Sequence, residues 1–180
     1  MSIRSIARAV VVLAALSVPG CTLSPPPEFN LNLEGRDPDQ ISLVQFDAIA
    51  ETLEELFGTP DEVKIPDGLD LNQRLLRAAA GPIDRTGEPG AQRGLYRQHC
   101  AVCHGTSGDG AGPTASLLNP YPRDFRNGIF KYTSTLAGAK PTRGDLERTL
   151  LAGVPGTAMP SFAQLLPREL AAVLEYVEYL

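Results

Sequence analysis

Residues 98–113 read QHCAVCHGTSGDGAGP. Two cysteines stand three apart, a histidine follows the second directly, and a glycine-rich stretch follows that. No other feature of the 180-residue chain constrains its fold as tightly, because two thiols and an imidazole are forced into one turn. A CxxC pair has three common uses. A thioredoxin-like redox pair follows a strand and opens the helix of a βαβ unit. Here the preceding residues, PGAQRGLYRQHC, read as a helix. A structural zinc site needs four ligands. Cys100, Cys103 and His104 supply three, and the third cysteine of the chain, Cys21, lies far away in an N-terminal segment with a different reading. The remaining use is covalent attachment of haem, for which CxxCH is the signature. On that reading Cys100 and Cys103 form thioethers to the vinyl groups and His104 is the proximal iron ligand.

Haem iron has a second axial position. His99 adjoins Cys100 and cannot swing to the far face of the ring, so it is expected to face solvent. The chain has only two methionines, and Met1 belongs to the leader. Met159 sits in GVPGTAMPSF, between Pro155 and Pro160, where the chain reads as a stiff loop. A methionine on a helix face is more often core filler. In this loop Met159 is the expected sixth ligand.

These elements, CAVCHG, then GTAMPSF some way downstream, then PRELAAVLEYVEYL at the end, resemble a class I c-type cytochrome. The resemblance covers residues 88–180, about half of the chain. It implies an all-α domain wrapped around one covalent haem c, with a helix running into the CxxCH motif and a C-terminal helix crossing it. It places Gly94 and Tyr176 at that crossing, with Leu95 or Tyr96 as added packing. It also makes Pro113 the residue whose carbonyl accepts a hydrogen bond from His104, a bond of the kind that orients the imidazole and tunes the metal. Between the two ligand motifs, the stretch PRDFRNGIFKY resembles loops of some bacterial periplasmic cytochromes. Arg123, Arg126 and Lys131 can pair there with haem propionates or stand as ordinary surface charges. TRGDLERTLLAG reads as a helix capped by Thr142, with Asp145 three residues on and Gly153 as its stop.

The N-terminal half carries an address and an extension. MSIRSIARAVVVLAALSVPGC has two arginines, then an apolar run too short for an ordinary membrane span. It fits an export signal over residues 1–20. Its end resembles a bacterial lipoprotein cleavage site, which makes Cys21 the lipidated first residue of a membrane-anchored, periplasmic protein. The usual small residue is replaced by Pro19. Residues 21–40, with three consecutive prolines, read as an extended tether. Residues 41–87 read as a helical extension. In it Leu43, Phe46, Ile49, Leu53 and Leu56 or Phe57 recur at helical spacing, Ser42 or Asp39 can cap the start, and Gly58 with Pro60 ends the helix. The favoured reading of that helix is packing on the domain that follows; the sharper one is docking to a partner. A second short helix is expected over 71–80.

Sixteen basic and 21 acidic residues give a formal charge of −5. Loss of Arg4 and Arg8 with the leader takes this to −7. Such a balance excludes the clustered lysine and arginine of a nucleic-acid binder. With His104 and Met159 on the iron, no position is open to substrate. The expected role is therefore one-electron transfer between redox protein partners rather than enzymatic turnover. Two alternatives stand beside it: an electron-entry subunit or domain of a larger redox enzyme, or a haem-based ligand sensor if Met159 does not bind. Leu180 falls in mid-helix, so the native chain is also expected to be able to continue.

Overall fold

A computed structural model describes residues 26–84, 86 and 94–180. It is helical, with one isolated antiparallel bridge between Gly58 and Val63 and no extended strand among the described residues. Among the described residues there are six α-helices: α1 (Leu43–Phe57), α2 (Gln73–Ala79), α3 (Leu95–His99), α4 (Ala101–His104), α5 (Arg143–Ala152) and α6 (Pro167–Tyr179). The all-α class expected from the sequence is the one observed. Leader residues 1–20, Cys21 and the start of the helix expected before the motif lie outside the described residues.

Local signals set the helix ends. Ser42 accepts from the Gln45 amide while the Gln45 side chain accepts from the Ser42 amide, a reciprocal cap that starts α1. Asp39 does not cap α1; it belongs to a 3-10 turn, Pro38–Gln40, capped by Asp37. Asn72 caps α2 through the amides of Arg74 and Leu75. Thr142 and Asp145 cap α5, and Pro167 opens α6 at its first position, where a missing N–H costs nothing.

The core gathers on α6, whose Leu170, Ala172, Val173, Leu174, Tyr176 and Val177 are all buried. α2 meets it with Leu76, Ala79 and Ala80, and α3 with Leu95 and Tyr96. The ring of Tyr96 lies 4.7 Å from that of Tyr176. Tyr96 thus packs on the aromatic of α6, in the added-packing role the resemblance implies for it. Gly94 abuts the backbone after α2, where an added Cβ would lie 2.4 Å from the Pro82 carbonyl oxygen. Polar links reinforce the α2–α6 contact: the Asn72 amide donates to Glu175 at 2.5 Å, and Arg143 of α5 pairs with the same carboxylate at 3.0 Å.

α1 packs lightly. None of its residues is buried, and Phe46, Ile49 and Leu56 keep between 42% and 48% of their surface. It is held at its C-terminal end, where Phe57 meets the ring of Tyr179 and the Tyr179 hydroxyl donates to the Phe57 carbonyl.

The stretch 27–34, expected to be spacer, is docked instead. Pro27, Phe29, Leu31 and Leu33 are partly buried, whereas Glu28, Asn30, Asn32 and Glu34 are exposed. This alternation is that of an extended chain with one face inward. It runs across the loops that follow the CxxCH motif, with Phe29 reaching Tyr179.

Candidate haem site

α3 runs into the motif, and its axis breaks at Cys100, whose φ of −120° and ψ of −42° separate α3 from the single turn α4. That turn carries Cys103 and His104, with Cys100 at its N-cap. Tyr96, buried, donates through its hydroxyl to the Gly105 carbonyl at 2.9 Å, pinning the residue after His104. The last carbonyls of such a turn lack helical partners. The glycine-rich loop supplies them: the amides of Gly110, Gly112 and Thr114 donate to His104, Cys103 and Val102 at 3.0, 3.1 and 3.1 Å. A Cβ on Gly112 would lie 2.6 Å from three backbone atoms of the turn. Only a glycine lets the loop lie this close.

Cys100 and Cys103 are both free thiols. Cys100 is buried, and desolvation together with neighbouring Cys103 pushes its thiol up to about 12. The His104 ring stacks on Phe125, with centroids 4.4 Å apart and planes at 23°. Its Nδ1 lies 2.9 Å from the Arg123 carbonyl oxygen. A carbonyl only accepts, so Nδ1 carries the proton and Nε2 keeps its lone pair. Desolvation lowers the pKa of the imidazole, and the bond to Arg123 only partly opposes it, so the ring is held neutral. The acceptor expected from the sequence was Pro113. The structure places Pro113 on the exposed outer side of the loop and brings the Arg123 carbonyl to the ring instead, because the 123–125 segment folds back over it.

Met159 lies in a loop fixed by its own backbone. The Val154 amide donates to the Met159 carbonyl at 3.1 Å, and the Met159 amide donates to Thr157 Oγ1 at 3.1 Å. Ser161 Oγ donates to the Leu151 carbonyl at 2.6 Å, and the Phe162 amide donates to the Leu150 carbonyl at 2.8 Å, so the loop is tied to the end of α5. The Met159 side chain is partly buried against the core. His99 was expected to face solvent. It is partly buried and meets Phe162 edge-on at 6.2 Å, which brings the Met159 loop against the helix that leads into the motif.

Of the three cations considered for propionates, Arg126 is committed elsewhere. It forks onto Asp124 and donates to the Asn30 and Leu31 carbonyls. Lys131 sits 5.6 Å from the centre of the Tyr132 ring. Arg123 contributes its carbonyl to His104.

The donor set fits covalently attached haem. Two free thiols bracket one helical turn, and an imidazole beside them has its Nδ1 satisfied and its Nε2 available. No cluster of three or more His, Cys, Asp or Glu residues suited to a metal ion alone exists among the described residues. The sequence model of the cytochrome c family matches residues 90–180. The chain belongs to the cytochrome c family. Haem-based electron transfer and a covalent c-type haem follow from that membership. No curated protein matches the chain. Among solved structures, a chain of the Kuenenia stuttgartiensis reducing HAO-like protein complex is 34% identical, over 47% of this chain and 39% of its own length, with a TM-score of 0.46. This chain thus spans well under half of that neighbour.

Proposed function

We propose that this cytochrome is a one-electron carrier on the periplasmic side of a bacterial membrane, with a single haem bonded to Cys100 and Cys103, His104 and Met159 as axial ligands, and a lipid on Cys21. The observation that carries the reading is the His104 imidazole, held neutral and oriented, with its Nδ1–H donating to the Arg123 carbonyl and its Nε2 lone pair available. Bound haem supplies the one-electron chemistry. The chain supplies orientation: Tyr96 pins the turn, Phe125 backs the imidazole, and the Val154–Ser161 hydrogen bonds stiffen the segment that presents Met159. A second axial ligand leaves no position for substrate, which favours outer-sphere transfer over turnover. Thioether sulphur raises the reduction potential relative to a second nitrogen ligand. The single CxxCH in the sequence supports one haem, and the export-type leader directly before Cys21 supports the anchor. The acidic balance of the chain favours redox partners with a basic face, with rates that fall as salt screens the attraction.

Two measurements test this together. Denatured protein should keep its colour through acid–acetone extraction, and Met159→Ala should lose the weak far-red sulphur-to-iron band, bind carbon monoxide and drop in potential. Colour passing into the organic layer removes the thioether reading. A Met159→Ala spectrum and potential identical to wild type remove Met159 from the iron.

A further inference from the structure

We propose that residues 28–34 form a strap that positions His104, with Arg126 as its clasp. The inference rests on His104 being the haem ligand of the proposed function. Two loops hold the imidazole. The first, Gly105–Gly112, leaves directly from it; the second, Arg123–Asn127, provides its Nδ1 acceptor and its stacking ring. The loops touch each other through the Phe125 amide, which donates to the Gly108 carbonyl at 2.7 Å.

The strap binds both. On the first loop, the Asn30 amide donates to Ser107 Oγ at 2.8 Å, Ser107 Oγ donates to the Glu28 carbonyl at 3.3 Å, and Asn30 Nδ2 donates to Asp109 at 2.6 Å. Ser107 is almost fully buried beneath these contacts. On the second loop, Arg126 Nη1 donates to the Asn30 and Leu31 carbonyls at 3.2 and 3.0 Å. Its Nε and Nη2 donate to Asp124 at 3.0 and 2.6 Å. Further along, Asn32 donates to Asn127 at 2.8 Å, and Asn127 donates to Glu34.

Arg126 is the joint of this arrangement. Its planar fork engages a carboxylate on one edge and two strap carbonyls on the other, which an ammonium cannot reproduce. Asp124 and Arg126 flank Phe125, and Arg123 precedes them. Fixing 124 and 126 therefore fixes the ring behind the imidazole and the carbonyl in front of its Nδ1. A firm Nδ1–H···O=C bond raises ligand basicity. A more basic imidazole favours ferric iron. Loosening the clasp should then free the Nδ1 proton and move the potential upward.

The test uses haem-loaded, full-length protein. In Arg126→Gln, exchange of the His104 Nδ1 proton, followed by NMR in the ferrous state, should quicken by roughly tenfold, the worth of one hydrogen bond to a charged group. The reduction potential should shift to more positive values. Arg126→Lys should recover only part of each effect. A merely structural role would lower the unfolding midpoint and leave exchange and potential where they were, and that result overturns the proposal. Should Arg126→Gln fail to mature, Ser107→Ala is judged by the same criteria, since it releases the strap from the other loop. Wild-type protein separates the two readings. If it lacks a ligated His104 signal, the proposed function fails; if wild type is normal and the variants match it, only the strap fails.

Discussion

Gly153 shows how much of the Met159 side depends on a single position. Its φ is 67°, a conformation natural to glycine, and an added Cβ would lie 2.7 Å from both the Pro160 carbonyl carbon and the Ser161 nitrogen. Those two residues follow Met159 directly. Gly153→Ala must therefore relieve strain of roughly 1–3 kcal/mol, and the nearest thing to give is the methionine loop. We expect a weakened far-red band and about tenfold tighter binding of added imidazole by the ferric protein, since 1.4 kcal/mol is a factor of ten. Unchanged imidazole affinity would mean that the loop absorbs the methyl group elsewhere. The contrast with the His104 side is instructive at this scale. Cys100, Cys103, His104 and Met159 stand out in the sequence as candidates because each is a side chain with distinctive chemistry. The Nδ1 acceptor could not, because it is a backbone carbonyl, and every residue has one.

At the scale of elements, the ends of α1, α5 and α6 were legible because caps are short-range: Ser42 with Gln45, Thr142 with Asp145, and Pro167 all act within one turn. The break between α3 and α4 at Cys100, and the docking of residues 27–34, were not. The strap's partners lie 77 to 96 positions away, and its alternation is carried by Phe29, Leu31 and Leu33 alone. Asp145 goes beyond a local cap. It accepts from the Thr142 amide and hydroxyl and also from the Ser134 amide and hydroxyl, tying the 134 loop to α5. Desolvation raises its pKa, but these hydrogen bonds outweigh that and hold the carboxyl well below the ordinary carboxylate range. Since the folded value is depressed, the stability Asp145 contributes is full above its unfolded value of about 3.9 and is lost as pH falls through that value towards the folded one. Asp145→Asn should be less stable than wild type at pH 7. Its guanidinium midpoint should also decline less steeply than that of wild type between about pH 5 and pH 3. Parallel declines would show that Asp145 carries no proton linkage. Arg148, two-thirds exposed, adds little to this as its ion-pair partner.

On the scale of the whole molecule, the residues that would carry haem and the residues that precede the family match share one core. α2 lies before residue 90, yet Leu76 and Ala79 have no exposed surface and pack in the same cluster as Tyr96 of α3 and Val173 of α6. Short amphipathic helices look alike in sequence whether they cap a neighbour or enter its core, so this integration had no local signature. It has a thermal one. Leu76→Ala removes a fully buried side chain and should cost ~2–5 kcal/mol, which for a chain of this size corresponds to a fall in Tm of roughly 4–20 °C. The discriminating point is where the loss is seen. If α2 and the haem-binding helices unfold together, the Soret band and the far-ultraviolet helix signal should both shift by the same amount. Leu69→Ala, at a half-exposed position, should leave both nearly unchanged. A Leu76→Ala protein whose Soret transition stays at the wild-type temperature while part of its helix signal melts early would show that the extension unfolds on its own. The α2–α6 contact would then be an annex to the haem domain and not part of its core.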